Sequence, residues 1–149
     1  MPRISGRCLV DTNVLIYATT RDDARHVTAM ALFDRAREGA FDAVISIQNL
    51  AEMYPNLIGP KRKPPDPPAL ARQKIESIAR LSFVEVLPVT EAVLFEALQL
   101  CERHGTTRQD YFDMQLAAAM RLNHVPTLLT ENAADFPDIP GVRVIDPFK

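Results

Sequence analysis

Four acidic residues lie far apart in this chain, each beside a short apolar run. Asp11 follows Cys8-Leu9-Val10, and Glu52 comes shortly after Ala43-Val44-Ile45-Ser46-Ile47. Asp113 precedes Leu116-Ala117-Ala118-Ala119-Met120, and Asp135 follows Thr127-Leu128-Leu129-Thr130. Carboxylates at strand ends can converge in a folded α/β domain. Two such charges about 5 Å apart repel by roughly 3 kcal/mol at an effective dielectric near 20. A converged set needs protons or a hard divalent cation, and carboxylate oxygens suit Mg²⁺ or Mn²⁺. These residue types fit metal-assisted phosphodiester hydrolysis. There a cation polarises the phosphoryl oxygen and lowers the pKa of a water, and a second ion often serves the leaving oxygen.

The elements that must position these acids can be read from periodicity. Residues 7–10 form a short buried strand ending at Asp11, and 26–38 have the pattern of an amphipathic helix stopped by Gly39. Ala43-Val44-Ile45 is a β-branched strand, and a helix starting near Ser46 carries Leu50, Met53 and Tyr54 on one face. Six of the twelve prolines fall between 55 and 68, which with Gly59 and Lys61-Arg62-Lys63 predicts an irregular basic loop. Asp66 is expected to cap the next helix with Pro67 at its first position, followed by apolar spacing through Leu81. Val84-Glu85-Val86-Leu87 is a strand, and Thr90 caps a helix that Gly105 ends. A helix over about 109–122, a strand over 127–130 and another over 142–145 complete the chain. Alternating strands and helices predict a three-layer α/β/α domain with a central, mainly parallel sheet. Neither half of the chain offers a full set alone, so residues 1–149 are expected to form one domain. In such sheets ligands bind beyond the carboxyl ends of the strands, which places Asp11 and Asp135 on the same rim.

Bulk properties narrow the classes. The 149 residues suffice for one cored domain, and the net charge of −2 predicts no strong overall field. Residues 1–7 contain no apolar signal segment, and no apolar run approaches the ~20 residues of a membrane span. The expectation is a cytoplasmic protein in which Cys8 and Cys101 are thiols rather than a disulfide. The three His, at 26, 104 and 124, have no zinc spacing.

Together, Asp11-Thr12-Asn13, Asn49-Leu50-Ala51-Glu52, Asp113-Met114-Gln115-Leu116-Ala117-Ala118-Ala119 and Leu128-Leu129-Thr130-Glu131-Asn132-Ala133-Ala134-Asp135-Phe136 resemble, in order, the motifs of PIN-domain nucleases. Length and motif order resemble the toxin half of bacterial VapBC toxin–antitoxin pairs. The resemblance implies a Mg²⁺- or Mn²⁺-dependent ribonuclease with Asp11, Glu52, Asp113 and Asp135 as catalytic metal ligands. It makes Thr12, Asn13, Thr130 and Asn132 candidates for holding those carboxylates or water, and it implies an RNA substrate, a protein antitoxin and a homodimer. Many PIN domains place Asp where this chain has Asn132; Asp135 fills the role in the subgroup ending Asn-x-x-Asp-Phe. Asp110, one turn before Asp113, is a supporting acid or a helix-start residue.

Other readings compete. Asp11 and Asn13 also suit helix capping, and Lys61, Arg62 and Lys63 either meet RNA phosphates or form a solvated loop. Arg21, Arg25 and Arg108 are weaker phosphate candidates, and His26 is a general-base candidate or a surface residue. Leu32, Phe33 and Leu57 are core or a partner groove. An aspartate-based phosphatase would need a second Asp two residues after Asp11, where Asn13 stands. A receiver-like domain, or a degenerate PIN fold that only binds RNA or protein, are the remaining alternatives.

Overall fold

In the computed structural model, which describes residues 3–149, the strands are short, and the central β1 and β4 are buried almost throughout. The elements run β1 (Arg7–Val10), α1 (Thr12–Ala18), α2 (His26–Arg37), β2 (Asp42–Ser46), α3 (Ile47–Ile58), α4 (Pro68–Ala79), β3 (Val84–Leu87), α5 (Glu91–His104), α6 (Tyr111–Leu122), β4 (Thr127–Leu129) and β5 (Arg143–Ile145). The five strands are all parallel in the order β3-β2-β1-β4-β5. Sequential strands build outward to β3 on one side of β1, and the chain then crosses to β4 on the other. The β1–β4 boundary is thus the topological switch point where open parallel sheets form a crevice.

Strand alternation divides the core. Cys8, Val10, Ala43, Ile45, Leu129 and Ile145 pack against Val14 and Leu15 of α1, Leu32 and Phe33 of α2, Leu50, Met53 and Leu57 of α3, and Ala71 and Ile78 of α4. Leu9, Val44, Leu87 and Leu128 face Leu116 and Met120 of α6 instead. Val93, Ala97 and Leu100 of α5 meet Met114, Ala117 and Ala118 of α6. The run of alanines lets these two helices approach closely. With both sheet faces covered, the strands are near-continuous apolar runs. Leu32, Phe33 and Leu57 are therefore core, not a partner groove.

Three local expectations are corrected. Pro55 lies inside α3, which continues to Ile58, so the irregular segment begins only at Gly59. A Cβ on Gly59 would lie 2.5 Å from the Pro55 carbonyl oxygen, so glycine is required there. Asp66 does not cap α4; Pro67 precedes the helix without a side-chain cap, and Pro68 is its first residue. Asp66 is instead a buried anion held by Lys74 Nζ at 2.7 Å and Arg62 Nε at 3.1 Å, two charge-assisted bonds that outweigh a cap. The helix expected from 109 begins as a single 3₁₀ turn, Arg108–Asp110, before α6 proper. Ser46 and Thr90 do cap α3 and α5, and Gly105 ends α5 in the left-handed conformation at φ 62°.

Candidate active site

Asp11 stands at the switch point. Its backbone N–H donates to the Leu129 carbonyl at 3.0 Å, extending the β1–β4 ladder by one rung. It is then the N-cap of α1, so the capping and site readings describe one residue. Its Oδ1 accepts from the Thr12 N–H at 2.8 Å and from Asn49 Nδ2 at 3.2 Å, while its Oδ2 accepts from the Thr130 hydroxyl at 2.8 Å. A carboxylate offers about four lone-pair directions. Three are occupied, which leaves one open, on Oδ2.

The direction of the Thr130 bond is forced. Its oxygen accepts from Asn13 Nδ2 at 3.0 Å and from the Asn132 N–H at 3.1 Å. Both lone pairs are used, so its proton goes to Asp11. Asn13 Oδ1 in turn accepts from the Glu131 N–H at 3.2 Å, tying the start of α1 to the segment after β4. Asn49 is fully buried, and its Oδ1 accepts from the Ser46 N–H at 3.0 Å, so its amide nitrogen must face Asp11. That nitrogen also lies 3.3 Å from Thr12 Oγ1, which donates to the Asn49 carbonyl.

Electrostatics connect the other acids. Burial pushes the Asp11 carboxyl above the usual carboxylate range, against the bonds from Thr130 and Thr12. Glu52 on α3 is raised by partial burial and by the charges of Asp11 and Asp113, against a bond from Gln48. Asp113, in the first turn of α6, is raised by burial and by Asp11 and Asp110. The fold thus brings Asp11, Glu52 and Asp113 within electrostatic reach, with Asp110 beside Asp113. Asp135 is exposed at the end of the 3₁₀ turn Ala133–Asp135, and its charge is not among those raising the other three. Among the described residues, no three Asp, Glu, His or Cys side chains close into a ready ligand cage. The donor set is nevertheless all carboxylate oxygen, with one open position on Asp11, whose charge raises Glu52 and Asp113. That fits a hard divalent cation.

The bonding roles of several residues escaped the sequence reading. The Ser46-x-x-Asn49 capping box was a usable signal for Asn49. Gln48, nearly buried, donates to the Phe112 carbonyl at 2.9 Å and accepts from Gln115 Nε2 at 2.8 Å, bridging α3 to α6 between Glu52 and Asp113. Arg25 is not a phosphate contact. It chelates Asp23 at 2.9 and 3.0 Å, lies 3.8 Å over the Tyr17 ring, and bonds Glu131, which also accepts from the Tyr17 hydroxyl. No pattern in the sequence pairs residues so distant. His26 opens α2 with its Nδ1 2.8 Å from the Tyr17 carbonyl, while Arg21 and Arg108 are exposed. Of the basic triplet, Arg62 is bound to Asp66 and to Thr20 Oγ1 at 3.3 Å, whereas Lys61 and Lys63 are exposed.

Residues 8–142 match the PIN domain family. The chain is 30% identical over 142 residues to ribonuclease VapC24 of Mycobacterium tuberculosis, covering 93% of this chain and 94% of the relative. Its fold is similar to that of VapC20 of Mycobacterium tuberculosis, described as a sarcin-ricin loop cleaving toxin, with TM-score 0.65, 22% identity, and 89% and 98% of the two chains covered. It is also similar to VapBC2 of Rickettsia felis bound to a promoter DNA fragment, with TM-score 0.64, 20% identity, and 93% and 96% covered. With a family match over residues 8–142 and a relative 30% identical over nearly its whole length, the chain belongs to the PIN-domain family.

Proposed function

We propose that this protein is a divalent-metal-dependent endoribonuclease and the toxin of a toxin–antitoxin pair. The observation that carries the reading is the set of three donors that leaves one lone pair of Asp11 open, with Glu52 and Asp113 near enough that the Asp11 charge raises both. Similarity over the whole length to a named ribonuclease supports the choice of RNA.

Asp11, Glu52 and Asp113 would hold Mg²⁺ or Mn²⁺, with Asp135 as the outer fourth acid and Asp110 behind Asp113. Such an ion supplies positive charge to a phosphodiester and acidifies water. The chain's own residues perform the positioning. Thr130, the Thr12 N–H and Asn49 hold the Asp11 carboxylate in one orientation, with the first two favouring its ionised form against burial, and Asn13 and the Asn132 N–H keep the Thr130 proton directed at Asp11. Gln48 restrains Glu52 and links it to α6.

The partner is an antitoxin that restrains the enzyme by covering this acidic crevice, with a cationic side chain placed among the carboxylates. Toxin–antitoxin complexes among the structural neighbours support that partner. A homodimer in the cytoplasm completes the proposal. No helix among the described residues is long and apolar enough to cross a membrane.

The test is cleavage of a structured RNA pool with Mg²⁺, with Mn²⁺ and with EDTA, alongside Asp11→Asn and Glu52→Gln, each checked for folding by circular dichroism. Cleavage that needs metal and is lost in both folded variants is expected. Undiminished cleavage in EDTA, or by either variant, overturns the assignment.

A further inference from the structure

A cleft of about 450 Å³ lies beside the acidic group, lined by Asn13, Tyr17, Asp22, Asn56, Lys61 and Lys63 among others. Two of these residues tie it to the site. Asn13 bonds Thr130, which bonds Asp11. Asn56 lies one turn beyond Glu52 on α3 and donates to the Glu52 carbonyl at 2.8 Å. Of the other lining charges, Arg62 is engaged by Asp66 and Asp23 by Arg25. Among the described residues, Lys61 and Lys63 have no carboxylate partner, which leaves two free positive charges against one free negative charge, Asp22.

The division of labour within the basic triplet is structural. Arg62 is a strut: its guanidinium joins buried Asp66 to Thr20, and the Asp66 N–H donates to the Leu57 carbonyl at 2.8 Å. The segment is bounded by Gly59-Pro60 and Pro64-Pro65, which reduces the freedom lost when a ligand binds. Lys61 and Lys63, on either side of the strut, are both presented at the cleft. Among the described residues, Tyr17 is the one aromatic side chain on the cleft. Arg25 covers one face of its ring, and Phe148 meets it edge-to-face at 5.4 Å. Two free ammonium groups beside a single aromatic ring that Arg25 already occupies favour backbone phosphate over stacked bases.

We infer that Lys61 and Lys63 form a phosphate subsite for the RNA strand flanking the scissile bond, held in place by the Arg62–Asp66 strut. The inference rests on the ribonuclease reading and adds what positions the substrate. The subsite contributes affinity without sequence preference.

The experiment compares Lys61→Gln/Lys63→Gln with a charge-matched control, Arg37→Gln/Arg80→Gln, whose residues lie at the C-terminal ends of α2 and α4, where the chain enters the amino ends of β2 and β3. Binding of fluorescent single-stranded oligoribonucleotides of several sequences is followed by anisotropy across a salt series, in an Asp11→Asn background. At ~0.7 per single-strand phosphate contact, the double lysine variant should lower the slope of log K against log salt by about 1.4. It should bind all sequences roughly tenfold more weakly, about 1.4 kcal/mol. Its melting temperature should match that of its parent. In the otherwise native enzyme, the loss should fall on KM rather than kcat. An unchanged slope and affinity in the lysine variant, or an equal loss in the control, overturns the subsite. Those results leave metal-dependent cleavage by the native protein intact, so the two readings fail separately. Loss of binding for one sequence only also refutes it. So does loss of capture of an acidic protein segment with RNA binding intact.

Discussion

Thr130→Val tests the geometry of the site most directly. The substitution preserves shape and removes one hydroxyl from a residue with no exposed surface. Three bonds go with it: the donation to Asp11 at 2.8 Å and the acceptances from Asn13 at 3.0 Å and the Asn132 N–H at 3.1 Å. A bond to a charged group contributes ~1.5–3 kcal/mol and a neutral one ~1 kcal/mol, so complete loss costs about 4 kcal/mol. At roughly 2–4 °C per kcal/mol for a chain of this size, the melting temperature should fall by about 10 °C. Thr130→Ser keeps the hydroxyl and loses one buried methyl, a change of ~1 kcal/mol. Calorimetric melts of the three proteins decide the matter. A Val variant that melts within ~2 °C of the Ser variant would refute the claim that this hydroxyl is saturated and directed at Asp11. The sign on the acid follows as well. The Thr130 bond lowers the Asp11 pKa against its burial, so its removal moves that pKa further up and shifts Mn²⁺ binding to higher pH.

The remaining predictions concern charge. Asn49→Asp places a carboxylate where an amide nitrogen lies 3.2 Å from Asp11, so urea titrations should show a loss of stability at neutral pH that shrinks on acidification; equal losses at both pH values would show that the amide does not face Asp11. Asp66→Ala leaves Arg62 and Lys74 facing each other, with side chains 20% and 17% exposed, and should cost about 3 kcal/mol in the same assay, with Lys74→Met recovering part of it. Metal-free protein should gain stability as pH falls toward the upper carboxylate range. Asp11, Glu52 and Asp113 have raised pKa values, so the folded state takes up protons before the unfolded one. Below the ordinary carboxylate range the trend reverses. Burial pushes Asp66 up, but Lys74 and Arg62 hold it below that range, and Arg25 does the same for Asp23; their stabilisation is lost as they protonate. Saturating Mg²⁺ should flatten the upper part of this profile, and a profile insensitive to Mg²⁺ counts against the carboxylates as its ligands.

Local signals exposed the elements and the acids because those features are local. The 3.6 and 2 periodicities located each strand, and each helix except the short α1, within a few residues, and Ser46, Thr90 and Gly105 marked ends through bonds to their own neighbours. The errors lie where long-range bonds overrode local preference. Asp66 has the residue type and place of a cap, but Lys74, eight positions on, and Arg62 drew its carboxylate inside. Arg25 looked free for phosphate, but its partner Glu131 is more than a hundred residues away. Asn49 was visible in its motif, while its bond to Asp11 depends on α3 starting beside β1. The sheet order itself, with β1 central, follows from pairings that no single segment encodes.

The network around Asp11 shows why the site needs so many uncharged residues. A buried carboxylate with no basic partner would ordinarily protonate. An arginine would solve that, but it would also fill the position a cation needs. This chain uses hydroxyl, amide and backbone donors instead, each supplying part of the stabilisation without a competing full charge. Three donors leave one direction open, and each is fixed by a bond at its other end: Thr130 by Asn13, Asn49 by Ser46, and the Thr12 N–H by the start of α1. Basic residues nearby are kept occupied. Arg25 is held by Asp23 and Glu131, and Arg62 by Asp66. Positive charge that could quench the acids is thereby held away from them, while the unpaired ammonium groups of Lys61 and Lys63 remain free for phosphate. A site arranged this way is destabilising when empty and would be relieved by a divalent ion, which is why its pH profile, and not activity alone, is the test of an ion there.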